Sequence, residues 1–170
     1  MKTQNFGLFF FLMVLGQMAL CNFANFSPFV MLSMLPAMIV CVPLTVSTPL
    51  CMVLAFATGL SVDWLSEGLI GINTASIIPV ALMRKPLIRF FLGEDIITRS
   101  DSFSIRKNGA GKISTILILS AILFLGIYIF LDGAGTRTLQ FNLTRLAISL
   151  LCNYFLALIV TNILTTDDRK

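Results

Sequence analysis

The sequence predicts an all-α membrane protein: six transmembrane helices in one bundle, forming a single integral membrane domain over 1–170. Three observations predict it. Hydrophobic residues fill 57% of the 170 positions and charged residues 12%, where a soluble domain carries about a quarter charged, and the mean hydropathy is +0.94. Apolar runs, each near the roughly 20 residues needed to cross about 30 Å of hydrocarbon, follow one another with brief polar breaks. Only one long polar segment, 93–112, interrupts them.

The first helix is placed at 6–21. Lys2 ahead of the apolar run from Phe6 to Leu20 is a layout shared with secretory signal peptides. Met18-Ala19-Leu20-Cys21 carries bulky Leu20 where a lipoprotein cleavage site needs a small residue, so the helix is expected to be retained. The second helix, 29–46, contains Pro36 and Pro43 and is expected to bend there, because each ring frees a carbonyl. Ser47-Thr48-Pro49 then reverse the chain into a third helix at 50–65. The fourth, 69–92, is interrupted by Pro79 and Pro86. Beyond the polar segment and its Asn108-Gly109-Ala110-Gly111 exit come a fifth helix at 113–131, a turn at Asp132-Gly133-Ala134-Gly135, and a sixth helix at 139–164.

Basic residues set the orientation, because Lys and Arg near helix ends are retained in the cytoplasm. Arg84, Lys85, Arg89, Arg99, Arg106, Lys107 and Lys112 cluster around the polar segment, which is therefore expected to be cytoplasmic. An even helix count puts both termini there too. Of the 12 Lys and Arg, all but Arg137 and Arg145 then fall inside. Arg84, Lys85 and Arg89 form a candidate cytoplasmic contact, and such a cluster could also meet anionic headgroups.

Several chemistries are excluded. Histidine is absent. Cys21, Cys41, Cys51 and Cys152 lie in apolar runs without a C-x-x-C spacing, as buried free thiols do. Neither zinc nor a histidine base is expected. Gly111-Lys112 resembles the end of a phosphate loop, but Ile113 stands where Ser or Thr must bind magnesium and Arg106 where the first Gly belongs. The acceptor patterns Asn25-Phe26-Ser27 and Asn142-Leu143-Thr144 fall at the membrane boundary. No catalytic set, no cofactor and no nucleic-acid partner is expected.

The polar residues inside apolar runs need a reason. Asp63 lies about 5 Å inside the outer end of the third helix at 1.5 Å per residue. It either caps the reversal at the interface or faces the bundle and pairs there. On the sixth helix Asn142, Arg145, Ser149 and Asn153 recur at spacings of three, four and four, one continuous stripe that must face protein or water. Arg145, about 9 Å deep, is the basic residue nearest that depth. An Asp63–Arg145 ion pair joining the third and sixth helices is therefore expected. Ala55 and Gly59 permit close helix approach, in packing or in dimerisation. Asn73, Thr74 and Ser76 either line a shallow outward cavity or satisfy one another, with Trp64 beside them on the hairpin.

That hairpin carries a family resemblance. Phe56-Ala57-Thr58-Gly59-Leu60-Ser61-Val62-Asp63-Trp64-Leu65-Ser66 followed by Gly68-Leu69-Ile70-Gly71-Ile72-Asn73-Thr74-Ala75-Ser76 resembles the rod shape-determining MreD family, whose helix ends in G-L-x-x-D before a turn and a G-hydrophobic-H step. Asn73 stands where many relatives have histidine. An amide still bonds there, but it does not protonate. Arg84-Lys85-Pro86 resembles an Arg-Pro step of a Bacteroidetes-like branch. The resemblance implies a non-enzymatic member of the cell-elongation complex. It would bind an MreC-like protein with a periplasmic domain and work with MreB, RodA and its transpeptidase in peptidoglycan synthesis. It also implies a fold similar to the substrate-binding subunits of energy-coupling-factor transporters, so the competing expectation is a small-molecule binding or transport subunit.

Overall fold

The computed structural model describes residues 3–23, 29–67, 70–94, 109–133 and 136–165. Six helices and no strand occur among them: α1 (Thr3–Phe23), α2 (Leu35–Val40), α3 (Thr48–Val62), α4 (Ile72–Leu92), α5 (Ala110–Asp132) and α6 (Leu139–Thr165). Four helices, α1, α3 with its continuation to Ser66, α5 and α6, are long and apolar enough to cross a membrane. Lys2, Asn25-Phe26-Ser27, Arg99, Arg106, Lys107, Arg169 and Lys170, on which part of the orientation and motif reading rested, lie outside the described residues.

The distribution of side chains is that of a body solvated by hydrocarbon. Leu8, Phe11 and Leu15 on α1 and Leu143, Leu151, Phe155 and Ile159 on α6 point outward. Gln17, Asp63, Asn73, Ser76, Arg84, Ser120, Ser149, Asn153 and Thr161 are buried. Polar residues within apolar helices face the bundle because lipid offers them no hydrogen bonds.

The expected second helix is the main departure. Of 29–46, only Leu35–Val40 is α-helical. A helix running through Phe29 to Val40 would drive the Pro36 ring against the Leu32 carbonyl and leave that carbonyl without a helical donor. Pro36 instead falls in the first turn of α2, where its missing N–H is not needed. The helix stops before Pro43, with Cys41 and Val42 closing it through bonds to Ala37 and Ile39 carbonyls. Every residue of α2 is buried. It touches α1, α3, α4, α5 and α6, so this short broken piece is the centre around which the long helices stand.

Other boundaries shift less. The third helix starts at Thr48 and ends in a wider π-helical turn, Asp63–Glu67. The fourth begins at Ile72, after Gly71 reverses the chain with φ 109°, a conformation side chains rarely adopt. It is one helix despite Pro79 and Pro86. The fifth begins three residues early, at Ala110. At Gly59 the α3–α4 approach is so close that an added Cβ would lie 2.7 Å from the Thr74 Cα. Gly59 therefore acts as a packing residue between these two helices.

Candidate functional site

Two polar clusters hold the bundle together. The first surrounds α2. In hydrocarbon, irregular backbone survives only where protein supplies its hydrogen bonds. Around Met31–Leu35 that supply comes from side chains of α1 and α6. Met31 N–H donates to Ser149 Oγ (2.9 Å) and Ser33 N–H to Asn153 Oδ1 (2.6 Å), while Asn153 Nδ2 donates back to the Met31 carbonyl (2.6 Å). Met34 N–H donates to Gln17 Oε1 (2.6 Å), and Gln17 Nε2 reaches the Leu32 carbonyl at 3.4 Å, the carbonyl that Pro36 leaves without a helical donor. Ser33 Oγ accepts from Leu35 N–H at 3.3 Å.

The other end of α2 is closed by α4. Arg84, 1% exposed, donates Nε to the Val40 carbonyl (3.2 Å), Nη2 to the Val42 carbonyl, and Nη1 to Cys51 Sγ (3.6 Å). A guanidinium at a helix C-terminus meets both the unpaired carbonyls and the negative end of the dipole. The expected cytoplasmic contact is thereby corrected: Arg84 faces inward because it shares the buried face of α4 with Asn73, Ile77, Val80, Ala81 and Ile88. Lys85 beside it is half-buried. Arg89 is exposed and pairs with Glu94 at 3.1 Å.

The second cluster closes the α3–α4 reversal. Asp63 is 0% exposed, and its carboxylate accepts five hydrogen bonds from the start of α4. Oδ1 takes Asn73 N–H and Asn73 Nδ2, both at 3.0 Å. Oδ2 takes Gly71 N–H (2.9 Å), Thr74 N–H (3.1 Å) and Thr74 Oγ1 (2.7 Å). Here a carboxylate caps a helix across a hairpin, with the positive end of the α4 dipole as its counter-charge. The π-helical turn carries Asp63 into this position. Asn73 and Thr74 therefore serve Asp63 instead of satisfying one another, and the Asn73 Oδ1 atom has no partner. Trp64, the residue after Asp63, is 73% exposed, and Leu65 and Ile70 are exposed too.

The expected Asp63–Arg145 pair is not formed. Arg145, 9% exposed, donates Nη1 to Asp132 Oδ2 at the end of α5. The physical reason is proximity in the chain: α5 and α6 form a hairpin, and Asp132 ends the helix against which α6 packs. Asp63 already has a full set of donors. The stripe on α6 does face protein, since Arg145, Ser149 and Asn153 each bond to another segment. Asn142 begins it, buried at its Oδ1 without a partner and packed against Gly133. Sequence reasoning passed over Gln17 and Asp132. The signal for Gln17 was its standing alone as an amide within an apolar run.

The chain matches no protein-family model, and neither the search of curated proteins nor that of solved structures returns a match.

Proposed function

We propose that this chain is a non-enzymatic membrane scaffold of the bacterial cell-elongation complex, akin to the MreD family. It supports peptidoglycan synthesis and cell shape by binding an MreC-like membrane protein with a periplasmic domain, and through it MreB, RodA and the transpeptidase. In this reading the chain crosses the inner membrane six times. The segment around α2 makes the second crossing as a broken span, and both termini lie in the cytoplasm.

The filled centre is the observation that supports this reading. In a six-helix ligand-binding unit the middle of the bundle is a pocket with convergent polar groups. Here α2 lies at that position, and Gln17, Arg84, Ser149 and Asn153 are bonded to its backbone or to the non-helical segment that leads into it. Asp63 and Thr74 are bonded to each other. Such a bundle meets partners through its outward apolar faces and the tip bearing Trp64 and Ile70.

A photo-crosslinking residue at Trp64 or Ile70, placed in cells, tests the reading. The expected adduct is a membrane protein with a large periplasmic domain. Absence of protein adducts, together with a small molecule retained by the purified chain, would overturn it in favour of the binding or transport subunit.

A further inference from the structure

We propose that the reversal between α5 and α6 binds a phosphate-class anion at headgroup depth, through Arg137, Arg145 and Asn142. Charge is the first reason. Asp132 Oδ2 accepts from Arg137 Nη1 at 3.2 Å and from Arg145 Nη1, so one carboxylate serves two guanidiniums. Among the described residues no other carboxylate forms an ion pair with either arginine. One positive charge is left over locally. Asp63 does not supply the balance, since its five bonds all go to the α3–α4 reversal.

Preorganisation is the second reason. The Arg137 guanidinium lies over the Phe141 ring, 5.4 Å from its centroid, and Phe141 packs against Phe29 with centroids 5.0 Å apart. With its side chain 35% exposed, Arg137 is held in place on one side and open on the other. Arg145 Nε is buried with no partner, as is Asn142 Oδ1 one turn earlier on α6. An added Cβ on Gly133 would lie 3.0 Å from the Asn142 amide, so glycine there lets that amide sit against the reversal. The cluster thus has a guanidinium donor without an acceptor beside an amide acceptor without a donor. A phosphodiester with a neighbouring hydroxyl answers both: its phosphate oxygens accept from the arginines, and its hydroxyl donates to Asn142. Guanidinium forks suit phosphate geometry.

Depth is the third. Asp132 ends one membrane-length helix and Leu139 opens another. Arg145 lies six residues further on, about 9 Å along the axis, where the acyl chains meet the headgroups. A lipid headgroup and a soluble phosphate compound share the required chemistry, and the test separates them.

The purified chain in neutral detergent is titrated with phosphatidylglycerol, with phosphatidylcholine and with inorganic phosphate, and bound species are counted by native mass spectrometry. Preferential retention of phosphatidylglycerol is expected if the source is lipid, and binding of inorganic phosphate if it is soluble. Arg137→Gln should weaken that binding about fivefold, the equivalent of about 1 kcal/mol for one cation near a headgroup. Lys112→Gln, at the start of α5, should leave it unchanged. Asp132→Asn removes the internal competitor and should tighten binding about fivefold, whereas a purely structural ion pair predicts no gain. Equal retention of both lipids without phosphate binding overturns the proposal. So does an equal loss in Arg137→Gln and Lys112→Gln, which would assign binding to diffuse surface charge.

Discussion

Asp63→Asn separates a helix-capping carboxylate from an interhelical ion pair. The substitution keeps the shape and replaces one acceptor oxygen by an NH2 group. If the amide oxygen takes the place of Oδ2, it keeps Gly71 and Thr74, and the new NH2 faces two donors on Asn73. The Asn73 side chain can turn over, because its own Oδ1 has no partner to lose. One buried N–H, that of Asn73, is then stranded, at about 1–3 kcal/mol. Loss of the negative charge at the start of α4 adds about 0.3–1 kcal/mol. The sum is roughly 1–4 kcal/mol, a fall in melting temperature of about 3–15 °C for a chain of this size.

Thermal unfolding in detergent, followed by circular dichroism, measures that fall. The cycle with Arg145→Gln decides its origin. Since Asp63 and Arg145 share no bond, their effects should add to within about 0.5 kcal/mol, whereas Asp132→Asn and Arg145→Gln should couple strongly. A coupling above about 1.5 kcal/mol between positions 63 and 145 would refute the capping geometry.

Gly59→Ala sets a Cβ 2.7 Å from the Thr74 backbone and 3.2 Å from Ile77 Cγ2, so it should destabilise by about 1–3 kcal/mol as α3 is forced off α4. Gly16→Ala meets nothing within 4 Å and should be neutral or stabilising by up to about 1 kcal/mol; the same melting assay compares them. Asn153→Ala strands Ser33 N–H and the Met31 carbonyl, and membrane hydrogen bonds average about 0.6 kcal/mol each, with larger values for buried pairs. Its melting point should fall, and amide exchange at Ser33 should rise more than at residues of α5. Arg84→Lys loses the fork that spans the Val40 and Val42 carbonyls and should destabilise by about 1–3 kcal/mol although the charge is kept.

The long helices were legible because hydrocarbon imposes length: α1, α5 and α6 follow their apolar runs to within a few residues. The broken span was not. Its composition is as apolar as theirs, and Pro36 and Pro43 predict bends in one long helix, whereas the structure has a short helix with Pro36 in its first turn and Pro43 beyond its end. What turns a kink into a break is the presence elsewhere of Gln17, Ser149 and Asn153, which can satisfy the freed backbone, and a linear reading does not pair them. Arg84 was misplaced for a related reason. It belongs to a cationic run in sequence, yet positions 73, 77, 80, 84 and 88 recur at helical spacing on one buried face. Of the two readings of Asp63, capping of the reversal and pairing with Arg145, the structure has the first, with donors that are N–H groups at the start of α4 and leave no mark in composition.

These misses have one physical source. Between helices in lipid there is little hydrophobic drive, since the acyl chains are as apolar as the side chains they would replace. Apolar periodicity therefore fixes which segments are helices and says little about how they meet. Register is decided by polar groups that have nowhere else to bond: Gln17 and Asn153 on the approach to α2, Arg84 at its far end, Asp63 under α4. Each of these ties a side chain to main chain, whatever side-chain bonds it makes besides. A main-chain partner cannot rotate away without moving its whole segment. Sliding α6 by one turn would strand Met31 and Ser33 together, so the helices are indexed to the broken span as to a common ruler. A bundle indexed in this way presents its outer faces in a fixed arrangement, which is the property a scaffold requires of the surfaces it offers.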